Sequence, residues 1–185
     1  MKTRIALAIL FCAVGAAVAL AGEAAGVKMA DTITVEGKTL KLNGIGLRKK
    51  MLFKVYVAGL YVENPAKDAA TVISTDEIKS ITLHILRGLS GSQIGEAISD
   101  GFWHNSKARM GELSDRLQKL TSMFPAVVEG DQIVLTYVPG KGTSVSAKGQ
   151  AKGVIEGKDF ADALFAVWLG GNPVQEDLKK ALLGG

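Results

Sequence analysis

The sequence predicts an α+β fold, a large antiparallel sheet with helices gathered on one face. Three observations predict it. Alternating, β-branched stretches occur in two blocks, one before and one after a pair of amphipathic segments. Gly and Pro turn signals divide the later block at hairpin spacing. Each amphipathic segment carries one apolar face that needs a partner layer, and a sheet is the natural one. No repeat, low-complexity linker or composition break interrupts the chain, so one domain is expected.

The chain has 185 residues and opens with Lys2 and Arg4 ahead of the apolar run IALAILFCAVGAAVALA. Ala19-Leu20-Ala21 fits an A-x-A cleavage site. Residues 1–21 are therefore expected to be a secretory signal peptide, and 22–185 a single exported domain, periplasmic or secreted. The alternative is an uncleaved anchor, since the run of 17 residues sits at the low edge of a membrane span. Cys12 is the sole cysteine and lies too early in the run to suit lipid attachment. A mature chain without thiols must draw its stability from packing rather than disulfides. No second apolar run approaches spanning length, so no stable membrane span is expected after cleavage. Loss of Lys2 and Arg4 lowers the formal charge from +4 to +2. That balance, with no basic block, gives no footprint for nucleic acid.

The elements follow in order. TITVEGKTLKLNG suggests two short strands turning at Glu36-Gly37. NGIGLRKKMLFKVYVAGLYVE (43–63) reads as one long strand, bent at the Lys49-Lys50 pair. Asn64-Pro65 fits a helix start, with Asn as cap and Pro in the first turn, running to about Ile73. IKSITLHIL alternates and is β-branched enough for a strand. Ser90 and Gln93 form a capping box ahead of Ile94, Ala97, Ile98, Gly101 and Phe102 at helical spacing. Met110, Leu113, Leu117, Leu120 and Phe124 line a second helix that stops at Pro125. DQIVLTYV, TSVSAK and AKGVI are three more strands. Asp159 is expected to cap a helix burying Phe160, Leu164, Phe165 and Trp168, ended by Gly170-Gly171. VQEDLKKALL makes the last helix.

Common chemistries find no support. Only His84 and His104 are present, and a zinc or iron site of His and Cys is not expected. GLSGS (88–92) ends in Ser where a nucleophile elbow needs Gly. GIGLRK lacks the third glycine of a dinucleotide fingerprint, and GKGTS lacks phosphate-loop spacing. No cofactor is read from the sequence.

Arg48 remains. An inward guanidinium needs an anion or dense hydrogen bonding, because burying it unpaired costs several kcal/mol. Its planar fork suits a carboxylate. Tyr56 lies eight residues on and shares the Arg48 face of an unbroken strand, whereas Tyr61 lies on the other unless a bulge or bend between them reverses it. Arg48 with a tyrosine hydroxyl at the end of an apolar cleft makes a carboxylate clamp. The bland alternative is a solvated strand bend. Arg87, beside the next helix start, is read as solvated, with a second anion contact as its alternative.

Four stretches give the chain a recognisable pattern: LNGIGLRKKMLFKVYVAGLYV, LRGLSGSQIGEAI, MFPAVVEGDQIVLTYVPGKGTSV and FADALFAVWLGGNPVQEDLKKALLG. With them the chain resembles the chalcone isomerase-like family, above all its short exported bacterial members. The resemblance implies an open-faced β-sandwich, with helices layered on one face of the sheet. It also implies one of two activities. Plant members cyclise chalcones; others bind fatty acids in the same cleft, with the family arginine at the carboxylate. The arginine of the G-x-G-x-R pattern matches Arg48. The enzymes' threonine aligns with Tyr56, their tyrosine with Ile94, their asparagine with Gly101 and their late Ser or Thr with Val167. One of five enzyme residues is retained, and Ile94 and Val167 are aliphatic. Losing those donors removes about 10²–10³ in rate each and makes the cleft greasier.

The resemblance therefore implies a non-catalytic binding protein for a fatty acid or similar apolar carboxylate. Arg48 is the anchor, Tyr56 a hydroxyl donor and Tyr61 a weaker candidate. Ile94, Gly101 and Val167 line the cleft. One alternative is an isomerase on a phenolic or enone substrate, with Arg48 stabilising an oxyanion. Another is a structural or partner-binding exported domain without a small ligand.

Overall fold

The computed structural model describes residues 20–185. The signal-peptide expectation falls almost wholly outside them. The first two strands, β1 (Leu20–Ala24) and β2 (Val27–Ala30), form a separate antiparallel hairpin. Seven further strands form one antiparallel meander, each paired with its neighbour in sequence. These are β3 (Thr32–Val35), β4 (Lys38–Lys50), β5 (Phe53–Val62), β6 (Lys79–Ile85), β7 (Gln132–Val138), β8 (Gly142–Ala147) and β9 (Gln150–Ile155). Helix α1 (Ala69–Ser74) joins β5 to β6, while α2 (Gly91–Ser106) and α3 (Met110–Thr121) join β6 to β7. Helices α4 (Lys158–Leu169) and α5 (Glu176–Leu182) close the chain. The α+β architecture is the one expected.

Alternation along the strands decides which side is covered by helices. Ala58, Leu60 and Val62 of β5, Ile81, Leu83 and Ile85 of β6, and Ile133, Leu135 and Tyr137 of β7 enter the main core. There they meet Phe102 of α2, Leu113, Leu117 and Leu120 of α3, and Phe160, Leu164, Phe165 and Trp168 of α4. Each such side chain contributes about 1.5–3 kcal/mol when taken fully out of water. Leu40, Tyr61 and Ile78 form a second, smaller cluster with Ile33 and Leu42. The β1–β2 hairpin lies against this other face, where a Cβ on Gly59 would strike Met29.

Three local expectations are corrected. The segment 43–63 is two strands, not one bent strand. A tight turn at Met51 and Leu52 reverses the chain, with Lys50 paired to Phe53 and Lys49 to Lys54. Asn64-Pro65 does not start a helix. Asp68 caps α1, its carboxylate accepting from the Thr71 N–H and hydroxyl at 2.7 Å each, while Asn64 reaches across to Glu77. Asp159 lies inside the first turn of α4, where Gly157 at φ +100° is the cap residue. Its carboxylate is taken by Arg116 instead. The Ser90–Gln93 capping box forms as read.

Lys79 is a buried charge with an internal solution. Its Nζ donates to the carbonyls of Val72, Ile73 and Thr75 at 2.7–2.8 Å, closing the C-terminal end of α1. Cations are favoured at helix C-termini, yet burial lowers the Lys79 pKa to about 8.

Candidate functional site

The site is built on the spacing Gly44-x-Gly46-x-Arg48, which puts three residues on one face of β4. At both glycines α5 rests on the strand. A Cβ on Gly44 would meet the Leu182 carbonyl oxygen at 2.6 Å, and one on Gly46 would meet Ala181 Cβ and Leu178 Cδ1 at 2.8 Å. Only residues without side chains allow that approach. Arg48, next on the same face, then meets the start of α5. Its Nη1 donates to Gln175 Oε1 at 3.3 Å and to the Lys49 carbonyl. Gln175 in turn stitches the β-bulge between Arg48 and Lys49. Its Oε1 accepts from the Lys49 N–H at 2.8 Å and its Nε2 donates to the Leu47 carbonyl at 3.1 Å.

Tyr56 is the cross-strand partner of Arg48. Directly opposed residues share a face, so the turn brings together two residues that the single-strand reading put on one face but eight residues apart. The Tyr56 hydroxyl accepts a hydrogen bond from Trp168 Nε1 at 2.9 Å. Burial pushes the phenol pKa up; the Trp168 N–H and then the Arg48 guanidinium pull it down without prevailing. Tyr56 is therefore a neutral hydroxyl beside a cation. Among the described residues its own proton has no acceptor, and Arg48 has no carboxylate partner.

The remaining candidates divide. Ile94 is buried on α2, and Gly101 and Val167 touch directly where α2 crosses α4. A Cβ on Gly101 would lie 2.6 Å from Val167 Cγ1 and 2.9 Å from Cγ2. Trp168 thus meets Tyr56, while Val167, its neighbour on α4, packs on Gly101 of α2. Two cavities of about 290 and 340 Å³ lie elsewhere, one between the end of α2 and α4, the other beside α1. Tyr61 is not brought to Arg48. It sits in the second cluster on the opposite sheet face, its hydroxyl donating to the Ala30 carbonyl at 3.0 Å. Arg87 is exposed, its guanidinium 4.5 Å above the Phe53 ring.

A family model described as chalcone isomerase-like matches residues 21–184. The chain belongs to the chalcone isomerase-like family. No curated protein matches the sequence. Among solved structures, it is similar to the crystal structure of a fatty-acid binding protein from Arabidopsis thaliana, with a TM-score of 0.64 at 20% identity. That similarity covers 85% of this chain and 92% of that one. At such low identity the likeness speaks for the fold, and it agrees with the meander and helix layer described above.

Two residues that meet Arg48 and Tyr56 are not legible in the sequence. Trp168 reads from its spacing as an apolar core residue, although a buried indole N–H needs a partner. Gln175 was an unremarked residue ahead of an acidic helix start. Its position before Glu176 and Asp177 marks a helix boundary, but no local signal says that it will reach β4.

Proposed function

We propose that this chalcone isomerase-like domain is an exported, non-catalytic binding protein for a fatty acid or similar apolar carboxylate. Arg48 is the anion anchor and Tyr56 donates its hydroxyl proton to the same carboxylate. The observation that carries the reading is the pair itself. A neutral tyrosine with an unaccepted proton stands opposite an arginine with no carboxylate partner among the described residues. A carboxylate accepts from both, in charge-assisted bonds roughly twice as strong as neutral ones. The similarity to a protein named for fatty-acid binding supports the same class of ligand.

The acyl tail would lie toward Ile94, Gly101 and Val167. These residues present no side-chain donors to a reacting substrate, which favours binding over catalysis. Entry of a tail displaces Val167 and Trp168 from the layer and exchanges their packing for its own. The packed Gly101–Val167 crossing also favours a second reading, an exported domain that holds no small ligand. Organic extraction of the purified protein followed by mass spectrometry separates the two. The proposal expects acyl chains near one per protein. No extracted lipid, together with no fatty-acid binding by the refolded lipid-free chain, would leave the second reading.

A further inference from the structure

The β4–β5 turn presents an unusual surface. Met51 and Leu52 occupy the two turn positions and are 89% and 96% exposed; Phe53 is 57% exposed. Two-residue hairpin turns favour Asn-Gly or Asp-Gly, because φ must be positive there. Met51 adopts φ +55° without being glycine, so neither water nor backbone preference selects it. The tip also stands clear of the sheet. Hydrogen bonding along β5 on its β6 side ends at Val55, whose carbonyl accepts from the Leu86 N–H at 3.0 Å, and on the β3 side β4 is bonded only as far as Leu42, whose N–H donates to the Asp31 carbonyl. Two residues of strand past that bond, Lys54 and Phe53, carry the turn roughly 7 Å outward at 3.3 Å per residue.

Around the apolar tip stand Lys49, Lys50, Lys54 and Arg87. The first three flank the turn in sequence, and Arg87 stacks on Phe53. Acidic residues on neighbouring elements are Glu129 in the loop before β7 and Glu176 and Asp177 at the start of α5. None forms an ion pair with these four cations among the described residues. Four unneutralised cations around three bare apolar side chains match the layering of an anionic bilayer surface, charged headgroups above hydrocarbon. A tip that stands out by this length reaches the depth of about 5–10 Å at which interfacial elements bury their apolar face. A stable protein partner needs about 800 Å² per side, more than three side chains on a narrow turn supply.

We propose that the Met51-Leu52-Phe53 tip inserts into the interface of anionic phospholipid membranes, held by Lys49, Lys50, Lys54 and Arg87. The inference stands on the tip alone and does not require that the domain binds a fatty acid. With Arg48 at the base of the same hairpin, however, docking would bring the candidate site up to the bilayer.

The test uses the full chain carrying Cys12→Ser, with Leu52→Cys or Ser74→Cys labelled by an environment-sensitive dye. Ser74 is exposed at the end of α1, at the opposite end of β5 from the turn. Both variants share the apolar N-terminal segment, so a shift at 52 and not at 74 reports the tip rather than that segment. With phosphatidylcholine vesicles containing phosphatidylglycerol, the label at 52 should shift to the blue and that at 74 should not. Lys49→Ala with Lys50→Ala should raise the lipid concentration at half-shift by about fivefold per cation. A label at 52 that stays in water on such vesicles, or shifts equally on neutral ones, overturns the proposal. So does a shift that appears with protein concentration alone, which would mean that a second copy covers the tip. Fatty-acid binding by the unlabelled chain, measured without vesicles, is read separately and does not depend on this outcome.

Discussion

Replacing Gly101 by Ala tests how tightly the helix layer closes over the candidate site. An added Cβ would sit 2.6, 2.9 and 3.1 Å from Cγ1, Cγ2 and Cβ of Val167. Carbon atoms pack best at about 3.5–4.0 Å, so the shortfall approaches 1 Å. Val167 cannot turn away, because a valine in a helix has one strongly preferred rotamer and its Cβ would remain too close. The helices must separate, at a cost of about 1–3 kcal/mol. Against this, Gly→Ala in a helix interior gains up to about 1 kcal/mol. Gly111 of α3 supplies the control, since nothing lies within 4 Å of its added Cβ. Gly111→Ala should stabilise by about 0.5–1 kcal/mol, whereas Gly101→Ala should be neutral to destabilising by about 2 kcal/mol. Val167→Ala removes both Cγ atoms, so combining it with Gly101→Ala should be less damaging than the two single losses added, with a coupling of about 1–2 kcal/mol. Urea denaturation of the four variants measures all of this. Equal stabilisation by both Gly→Ala changes, with no coupling to Val167, would refute direct α2–α4 contact.

Tyr56→Phe leaves the buried Trp168 N–H without its acceptor and should cost about 1–3 kcal/mol; Trp168→Phe also costs stability by opening a cavity, and the two losses should be less than additive in chemical denaturation. Asp159 is held at about 2, against an ordinary 3.8, chiefly by its hydrogen bonds from Arg116. A depressed carboxylate contributes stability above its unfolded pKa and loses it as pH falls through the folded one. The loss therefore runs from about pH 4 down to about pH 2. The pair is partly exposed, so the contribution is about 0.2–1 kcal/mol. Arg116→Ala should lower the urea midpoint at neutral pH and flatten its fall in acid; an unchanged acid limb would argue against the pair.

The strands and helices were legible because alternation and helical spacing are local properties of the chain. The capping box at Ser90 and the Glu36-Gly37 turn were readable for the same reason. The reversal at Met51-Leu52 was not, since the pair carries none of the residues that favour positive φ and the apolar run continues through it. The caps at Asp68 and Gly157 lost out to Asn64 and Asp159 for a related reason. Asn64 and Asp159 both fit the cap rule, but in the fold their side chains bond Glu77 and Arg116 instead. Arg48 and Tyr56 could be named from their types and spacing, although their proximity comes from cross-strand pairing. What brings Trp168 and Gln175 to them is the docking of α4 and α5 on β4 and β5, across more than 100 residues of sequence. Glycines 44 and 46 record that docking, but only the packed helix shows what they make room for.

The central claim is that the Arg48–Tyr56 pair takes a carboxylate. Titration of the lipid-free chain with a long-chain fatty acid and with its methyl ester tests it most directly, in the native sequence and in Arg48→Met. The native chain should prefer the acid, and Arg48→Met should weaken acid binding by about 10–100-fold, as expected for losing a hydrogen bond to a charged group, while barely moving the ester. Acid and ester bound alike by the native chain, or an acid affinity indifferent to Arg48, would contradict it.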